Sequence, residues 1–136
     1  MAVDWAQRAG ATGRAMGLGP VEIIEIEPRK SARGTDSEAL LGRMDDAYLI
    51  ACDERGEAIA SRDLADIVVR LRDDGVRRLV FAVGGADGLD QAVRSRADRL
   101  MAFGPQTWPH ALARAMLAEQ VYRAATLIAG TPYHRQ

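Results

Sequence analysis

The sequence predicts an α/β fold with a mostly parallel sheet that is flanked by helices. Two short apolar runs, Tyr48–Cys52 and Leu79–Val83, have the composition of strands buried on both faces. Stretches with apolar residues at helical spacing separate the runs, and strands that alternate with helices are typical of parallel sheets. In such sheets, ligands bind at the carboxyl ends of the strands. Because 136 residues suffice for one core, residues 1–136 are expected to form a single domain.

The first third of the chain is predicted to begin with a helix from Ala2 to Met16, which glycine and proline residues end. A strand from Val21 to Ile26 follows. Residues 28–36 are polar and basic and show no periodicity, so they form either a mobile loop that closes over a substrate or a disordered segment. A short helix is expected at residues 37–44. The strand from Val21 to Ile26 is expected to belong to the parallel sheet.

The middle of the chain is predicted to supply a strand, a helix and a second strand. The polar run Asp53–Gly56 is expected to end the first strand. Ser61 can serve as the N-cap of a helix from Arg62 to Asp74, which Gly75 ends. The second strand runs into the glycine-rich turn Gly84–Gly88. This turn has neither the dinucleotide-binding spacing of glycines nor the P-loop pattern, so by itself it indicates a plain strand–helix connection.

The last third of the chain is predicted to contain a helix, a short strand and a long helix, at Leu89–Arg96, Arg99–Phe103 and His110–Ala129. Pro109 suits the first position of the long helix, with Thr107 or Trp108 as its cap. That helix is apolar almost all round, which indicates burial on more than one face. Because so small a chain has little interior, a second subunit is the expected partner of this helix.

The composition limits the possible functions. A formal net charge of −1 does not suggest a general nucleic-acid binder, although clustered arginines could face RNA or could simply form solvated helix faces. Cys52 is the only cysteine, which excludes an intrachain disulfide, and the two histidines lack metal-binding spacing, so no metal is expected. No apolar run approaches the ~20 residues of a membrane helix, and no signal peptide is recognisable. A cytoplasmic protein without membrane contact is therefore expected.

Polar residues interrupt the apolar surface of the long helix at four places: Arg114, Glu119, Gln120 and Arg123. Glu119 and Arg123 have the spacing and order of a favourable ion pair. An ordinary network on the helix face explains these residues as well as a functional role does. The helix is followed by Tyr133, His134 and Arg135, for which a frayed chain end is the default interpretation.

The segment TWPHALARAMLAEQVYRA, followed by PYHRQ, closely resembles the C-terminal signature of the ribosomal large-subunit RNA methyltransferase H family of the SPOUT superfamily. The resemblance extends from about Val21 onward and is strongest from Leu79 to the end. It implies a homodimer that methylates N3 of a pseudouridine in the 23S rRNA of the ribosome. It also implies a C-terminal trefoil knot, a feature that sequence patterning alone could not predict.

The resemblance further implies that three loops at the carboxyl ends of strands form a site for S-adenosylmethionine. The first loop begins at Cys52 and the second contains Gly84 and Gly85. The third loop consists of Phe103, Gly104, Pro105, Gln106, Thr107 and Trp108.

Candidate catalytic residues are Tyr133, His134 and Arg135, which are expected to reach across the dimer to the target base and its phosphate. His134 is the hypothesised acceptor of the N3 proton because a histidine titrates near neutral pH. Other residues of the matching motif are expected to contact the substrate or the second subunit: His110, Arg114, Glu119 and Arg123.

The sequence departs from the family pattern in three places. Family members begin with an apolar strand and a glycine ahead of the first helix, whereas this sequence opens at that helix. That strand lies inside the SPOUT sheet, so its absence is expected to expose two strand edges unless another element replaces it. In addition, residue 131 is threonine where the family often has histidine, and residues 37–47 look shortened. The alternative interpretation is a catalytically weak or inactive dimer that binds RNA or cofactor, while the tail disfavours a tRNA methyltransferase.

Overall fold

The computed structural model describes residues 7–11, 23–26, 46–84, 89, 91–103 and 110–130. Residues 7–11 are helical. Within the described ranges, four strands and three longer helices follow: β1 (Ile23–Ile26), β2 (Tyr48–Ala58), α1 (Ser61–Asp73), β3 (Leu79–Gly84), α2 (Gln91–Arg96), β4 (Arg99–Ala102) and α3 (His110–Ala129). No helix in these ranges is both long and apolar enough to cross a membrane.

The strands form one sheet in the order β1-β3-β2-β4, and every neighbouring pair is parallel. The predicted α/β class with a parallel sheet is confirmed. Because β1 pairs directly with β3, the sheet has no gap among the described strands, and no strand edge is exposed between them. The predicted trefoil knot stays a prediction, because residues 104–109 between β4 and α3 lie outside the described residues.

Each face of the sheet has its own core. On one face, Ile50, Phe81 and Val83 pack with Leu64 of α1 and Leu117 of α3. On the other face, the alternate residues of β2 and β3 pack with Leu89 and with α2: Leu49, Ala51, Val80 and Ala82. Both faces are thus buried by apolar side chains, which explains why β2 and β3 begin with unbroken apolar runs instead of alternating ones.

The start of α1 differs from the prediction. Ala60 occupies the N-cap position, and its backbone N–H donates to Asp63 Oδ2 at 3.3 Å. Ser61 is the first helical residue, and its hydroxyl donates to Gln120 Oε1 of α3. The prediction of Ser61 as the N-cap was therefore wrong, because this side chain contacts another helix instead of its own backbone. The helix ends at Asp73, one residue before the predicted Asp74. Gly75 follows the C-cap with a φ of 84°, the left-handed conformation that glycine tolerates, as its predicted role in ending the helix requires.

Other predicted boundaries shift by a few residues, and some of the predicted elements extend beyond the described ranges. Helix α2 begins at Gln91, so Leu89 precedes it and packs into the core as a coil residue. The predicted helix Ala2–Met16 is described only at residues 7–11, and residues 28–44 lie outside the described ranges. The cap predicted at Thr107 or Trp108 also falls outside them.

The largest difference concerns β2, which continues to Ala58 instead of ending at Cys52. Its pairing with β4 shifts register, because Cys52 and Glu57 both lie opposite Met101. The four residues between them, which we call the excursion (Asp53–Gly56), therefore leave the ladder and return to it. Gly56 makes the return possible, since a Cβ there would lie 2.6 Å from the backbone carbon of Leu100.

A polar clasp fixes the opposite end of the β2–β4 pair. The buried backbone N–H of Leu49 donates to Asp98 Oδ2 at 2.8 Å, and the Asp98 N–H donates to the Leu49 carbonyl at 2.8 Å. Arg96 donates to the same Asp98 oxygen at 3.2 Å and to the Ala47 carbonyl at 2.8 Å. The clasp thereby fixes where the two strands begin relative to each other.

Removing the clasp is expected to destabilise the fold. Asp98→Ala leaves the Leu49 N–H unpaired in the core, and the free energy of unfolding should fall by about 1–3 kcal/mol. In Asp46→Ala, the lost carboxylate is 81% exposed and lies 3.8 Å from Arg78, so the change should stay within about 0.5 kcal/mol. Urea denaturation followed by circular dichroism measures both. Equal effects of the two variants would show that Asp98 does not hold the strands.

A side chain at position 56 is expected to separate β2 from β4. Gly56→Ala should lower the free energy of unfolding by about 1–3 kcal/mol, because the new methyl group meets backbone atoms that cannot rotate away. Gly75→Ala is the control, since nothing lies within 4 Å of its new Cβ and only backbone strain is added. Amide hydrogen exchange at Leu100–Ala102 should accelerate in the Gly56 variant alone. Unchanged exchange there would contradict the close approach.

Candidate functional site

Parallel pairing brings Cys52 of β2 and the ends of β3 and β4 together at one side of the sheet. Cys52 lies opposite Val83 on β3 and opposite Met101 on β4. Gly84 follows Val83, and Phe103 follows the last residue of β4. We call this side the carboxyl edge, defined by Cys52, Gly84 and Phe103. The first residues of all three predicted cofactor loops therefore lie at one edge.

The other predicted cofactor residues lie outside the described ranges: Gly85, Gly104, Pro105, Gln106, Thr107 and Trp108. Their assignment to a cofactor site stays a prediction.

A cavity of about 700 Å³ opens beside the carboxyl edge. It lies between the end of β4, the start of α1 and the first half of α3, and its walls include Ile59, Leu64, Met101, Phe103, Leu112 and Met116. Polar side chains are contributed by Ser61, Glu119 and Gln120. A volume of this size, with apolar walls and a few polar groups, is typical of small-molecule sites, which span roughly 300–1,000 Å³.

The polar side of the cavity is a hydrogen-bonded network between α1 and α3. Glu119 Oε1 accepts from Arg123 Nε at 2.9 Å and lies 2.8 Å from Nη2, which confirms the predicted ion pair. Gln120 donates to Glu119 Oε2 at 3.1 Å and accepts from the Ser61 hydroxyl. The Glu119 and Arg123 side chains are only 22% and 26% exposed, so solvent screens this pair weakly. The network ties the wall of the cavity to the first residue of α1.

The other predicted substrate residues are placed only in part. Arg114 is exposed on α3 and is not among the residues that line the cavity. His110 is the first residue of α3, but its side chain falls outside the described part of the structure. Tyr133, His134 and Arg135 also lie outside it. Their predicted catalytic roles stay predictions.

Cys52 contributes a neutral thiol to the carboxyl edge. Its side chain packs against the core beneath α1 and α3, and burial raises the pKa of the thiol to about 12. A protonated thiol is a poor nucleophile and a poor metal ligand. Within the described ranges, no group of three histidine, cysteine or acidic residues could hold a metal ion. Cys52 therefore acts at this edge as a small packing residue.

The excursion is the feature of this edge that sequence reasoning missed. Asp53 follows Cys52 directly, and its side chain is only 7% exposed. One of its oxygens accepts the backbone N–H of Arg55 at 2.9 Å. An aspartate that bonds a backbone N–H two residues ahead is a common turn pattern. The Asp-Glu-Arg-Gly run could therefore have predicted an ordered turn instead of a simple end to the strand.

Comparison with known proteins identifies the family. Residues 6–134 match the family model described as "Predicted SPOUT methyltransferase". The ribosomal RNA large subunit methyltransferase H of Caulobacter sp. (strain K31) is 62% identical over 99% of this chain and 88% of the relative. The protein of the same name from Phenylobacterium zucineum (strain HLK1) is 61% identical over 96% of this chain and 85% of its own length.

Solved structures extend the likeness to the fold. A crystal structure of a probable methyltransferase from Bordetella pertussis Tohama I matches with a TM-score of 0.54 and 17% identity, over 89% of this chain and 88% of that protein. At this identity, the match concerns the fold alone. The family model and the curated relatives, by contrast, share sequence over nearly the whole chain. The chain therefore belongs to the ribosomal RNA large subunit methyltransferase H family of SPOUT methyltransferases.

Proposed function

We propose that this protein is an S-adenosylmethionine-dependent methyltransferase that modifies N3 of a pseudouridine in 23S ribosomal RNA. The observation that carries the proposal is the convergence of Cys52, Gly84 and Phe103 at one edge, beside a cavity of about 700 Å³. The names of the curated relatives support ribosomal RNA as the substrate. The specific atom and base follow from the family resemblance.

The chemistry of the carboxyl edge fits this cofactor. Gly84 is buried and has no side chain, so a ligand can approach its backbone closely. The neutral thiol of Cys52 lies in one row with Val83 and Met101, which offers an apolar surface. When bound, S-adenosylmethionine supplies a methyl group on an electrophilic sulfonium. In this proposal the backbone after Cys52, Gly84 and Phe103 holds the cofactor, and residues 104–108 complete the site.

The cavity is the proposed acceptor side of the site. Its apolar walls suit the faces of a base, and the Glu119–Arg123 network holds a polar wall in a fixed position. Methyl transfer to an imide nitrogen also requires that the N3 proton be removed. We assign this step to His134, whose side chain type titrates near neutral pH, with Arg135 on a backbone phosphate and Tyr133 beside the base.

In this proposal, Tyr133, His134 and Arg135 reach the site from a second copy of the chain. Leu112 on α3 is 45% exposed although it is a large apolar residue beside the cavity. Such a residue at the mouth of a site fits a contact between subunits. We therefore propose a homodimer in which the tail of one subunit completes the site of the other.

Binding and turnover test the proposal together. Calorimetry should show saturable binding of S-adenosylmethionine by a protein that sediments as a dimer. Ribosomes that lack the methyl mark should gain it, as identified by mass spectrometry of the nucleosides. His134→Gln should lower kcat by about 10²–10⁴-fold without weakening cofactor binding, whereas Gln136→Ala should leave both unchanged. Cofactor binding without turnover by the wild type would support an inactive relative, and full turnover by His134→Gln would remove His134 as the proton acceptor.

The neutral thiol of Cys52 leads to a separate prediction about the pH dependence of kcat. Because burial raises the pKa of Cys52 to about 12, the thiol stays protonated from pH 6 to about 10 and cannot be the titrating base. The pH profile of kcat should therefore keep its shape in Cys52→Ala, even if its height falls. Iodoacetamide should leave the native protein unmodified at about pH 8 and react once urea unfolds it. An inflection that disappears in Cys52→Ala would show that the thiol ionises during turnover.

A further inference from the structure

The excursion (Asp53–Gly56) stands at the proposed cofactor site and has no role in the function described so far. It leaves the ladder immediately after Cys52 and returns to it where Glu57 and Ala58 pair with Met101 and Ala102. Both of its ends are therefore anchored at the carboxyl edge. Its first residue, Asp53, follows Cys52 directly and so lies next to this edge in the chain.

The position of the Asp53 carboxylate is fixed on two sides. Its side chain is 7% exposed, and Oδ1 accepts the Arg55 backbone N–H at 2.9 Å. At the other end of the excursion, Gly56 lies against the backbone of Leu100 and Met101. A carboxylate that is held this firmly is already oriented for a ligand, so binding does not need to order it.

The positive charge beside Asp53 is held loosely. Arg55 Nη1 lies 3.4 Å from both carboxylate oxygens, and the Arg55 side chain is 63% exposed. Ion pairs with one exposed partner contribute little, so this guanidinium can leave at small cost. The Asp53 carboxylate, whose side chain is 7% exposed, is then open to another cation.

Other described carboxylates near the edge have closer or separate partners. Glu119 is bonded to Arg123 at 2.8–2.9 Å, and both side chains are largely buried. Glu57 is 71% exposed and lies 3.6 Å from Arg99. Asp53 alone of these three combines burial with a partner that is free to exchange.

We propose that Asp53 is a cofactor-binding residue that accepts the α-ammonium group of S-adenosylmethionine in exchange for the Arg55 guanidinium. The inference rests on the proposed function, since it assumes that the cofactor binds at the carboxyl edge. It assigns opposite effects to two neighbouring residues. Asp53 attracts the amino-acid part of the ligand, and Arg55 competes with it.

Calorimetry with three ligands on one set of variants tests this assignment. S-adenosylmethionine and S-adenosylhomocysteine carry the ammonium group, whereas 5′-methylthioadenosine keeps the ribose and base but lacks it. In Asp53→Asn, the amide oxygen can still accept the Arg55 N–H, so the turn should persist. Affinity for the two amino-acid ligands should fall about 10–100-fold, and affinity for methylthioadenosine should change less than about 2-fold. Asp46→Asn, the same substitution at an exposed site near the amino end of β2, is the control and should change none of them.

Arg55→Ala supplies a second test that does not depend on Asp53. Removing the competing cation should leave S-adenosylmethionine affinity equal or raise it by up to about 3-fold. A fall in affinity would overturn the inference, because Arg55 would then bind the ligand itself. Equal losses of affinity for all three ligands in Asp53→Asn would also overturn the inference and would indicate a ribose contact instead. The inference would likewise fail if Asp53→Asn kept the wild-type affinity for S-adenosylmethionine. If the wild-type protein binds none of the ligands, the proposed function itself fails.

Discussion

The parallel register of β2 with its two neighbours is the constraint on which the site depends. Met101 on β4 lies opposite two residues of β2, Cys52 and Glu57, which are separated by four others. The backbone hydrogen bonds therefore fix three positions at once: the end of the first ladder, the start of the second and the loop between them. The Asp98 clasp at the other end leaves little freedom for the strands to slide. The positions of the groups that we propose to bind the cofactor are set by this ladder, because those groups directly follow its paired residues.

A second coupling connects the cavity to the core. Helix α3 presents Leu117 and Ala124 to the same face of the sheet that α1 covers with Leu64. The side of α3 that faces the cavity carries Glu119 and Gln120, and Gln120 accepts a hydrogen bond from Ser61 at the start of α1. Packing of the two helices on the sheet thus also determines the spacing of the cavity walls. A substitution in this core would change the site without touching a ligand.

The sequence was sufficient wherever a structural signal is local. The apolar runs at Tyr48–Cys52 and Leu79–Val83 predicted buried strands, and the absence of glycine and proline predicted α3 over the residues it occupies. It failed where the partner is distant. Ser61 bonds a side chain 59 positions away, so its local capping pattern was misleading. The continuation of β2 depends on β4 and on the space that Gly56 leaves, neither of which is a property of the segment itself.

The same contrast applies to charge at the site. The i,i+4 spacing of Glu119 and Arg123 predicted their ion pair from local sequence, whereas no spacing rule indicated that Asp53 would be buried. The two carboxylates differ in a way that matters for the cationic cofactor that we propose. Glu119 has a short, sheltered partner and forms part of the cavity wall, while Asp53 has a long contact to an exposed arginine. Cys52 beside it is held neutral by burial and adds no competing charge. Among the described residues, the carboxyl edge therefore offers one oriented negative charge whose counter-ion can be replaced, a suitable arrangement for a ligand that arrives with a positive charge of its own.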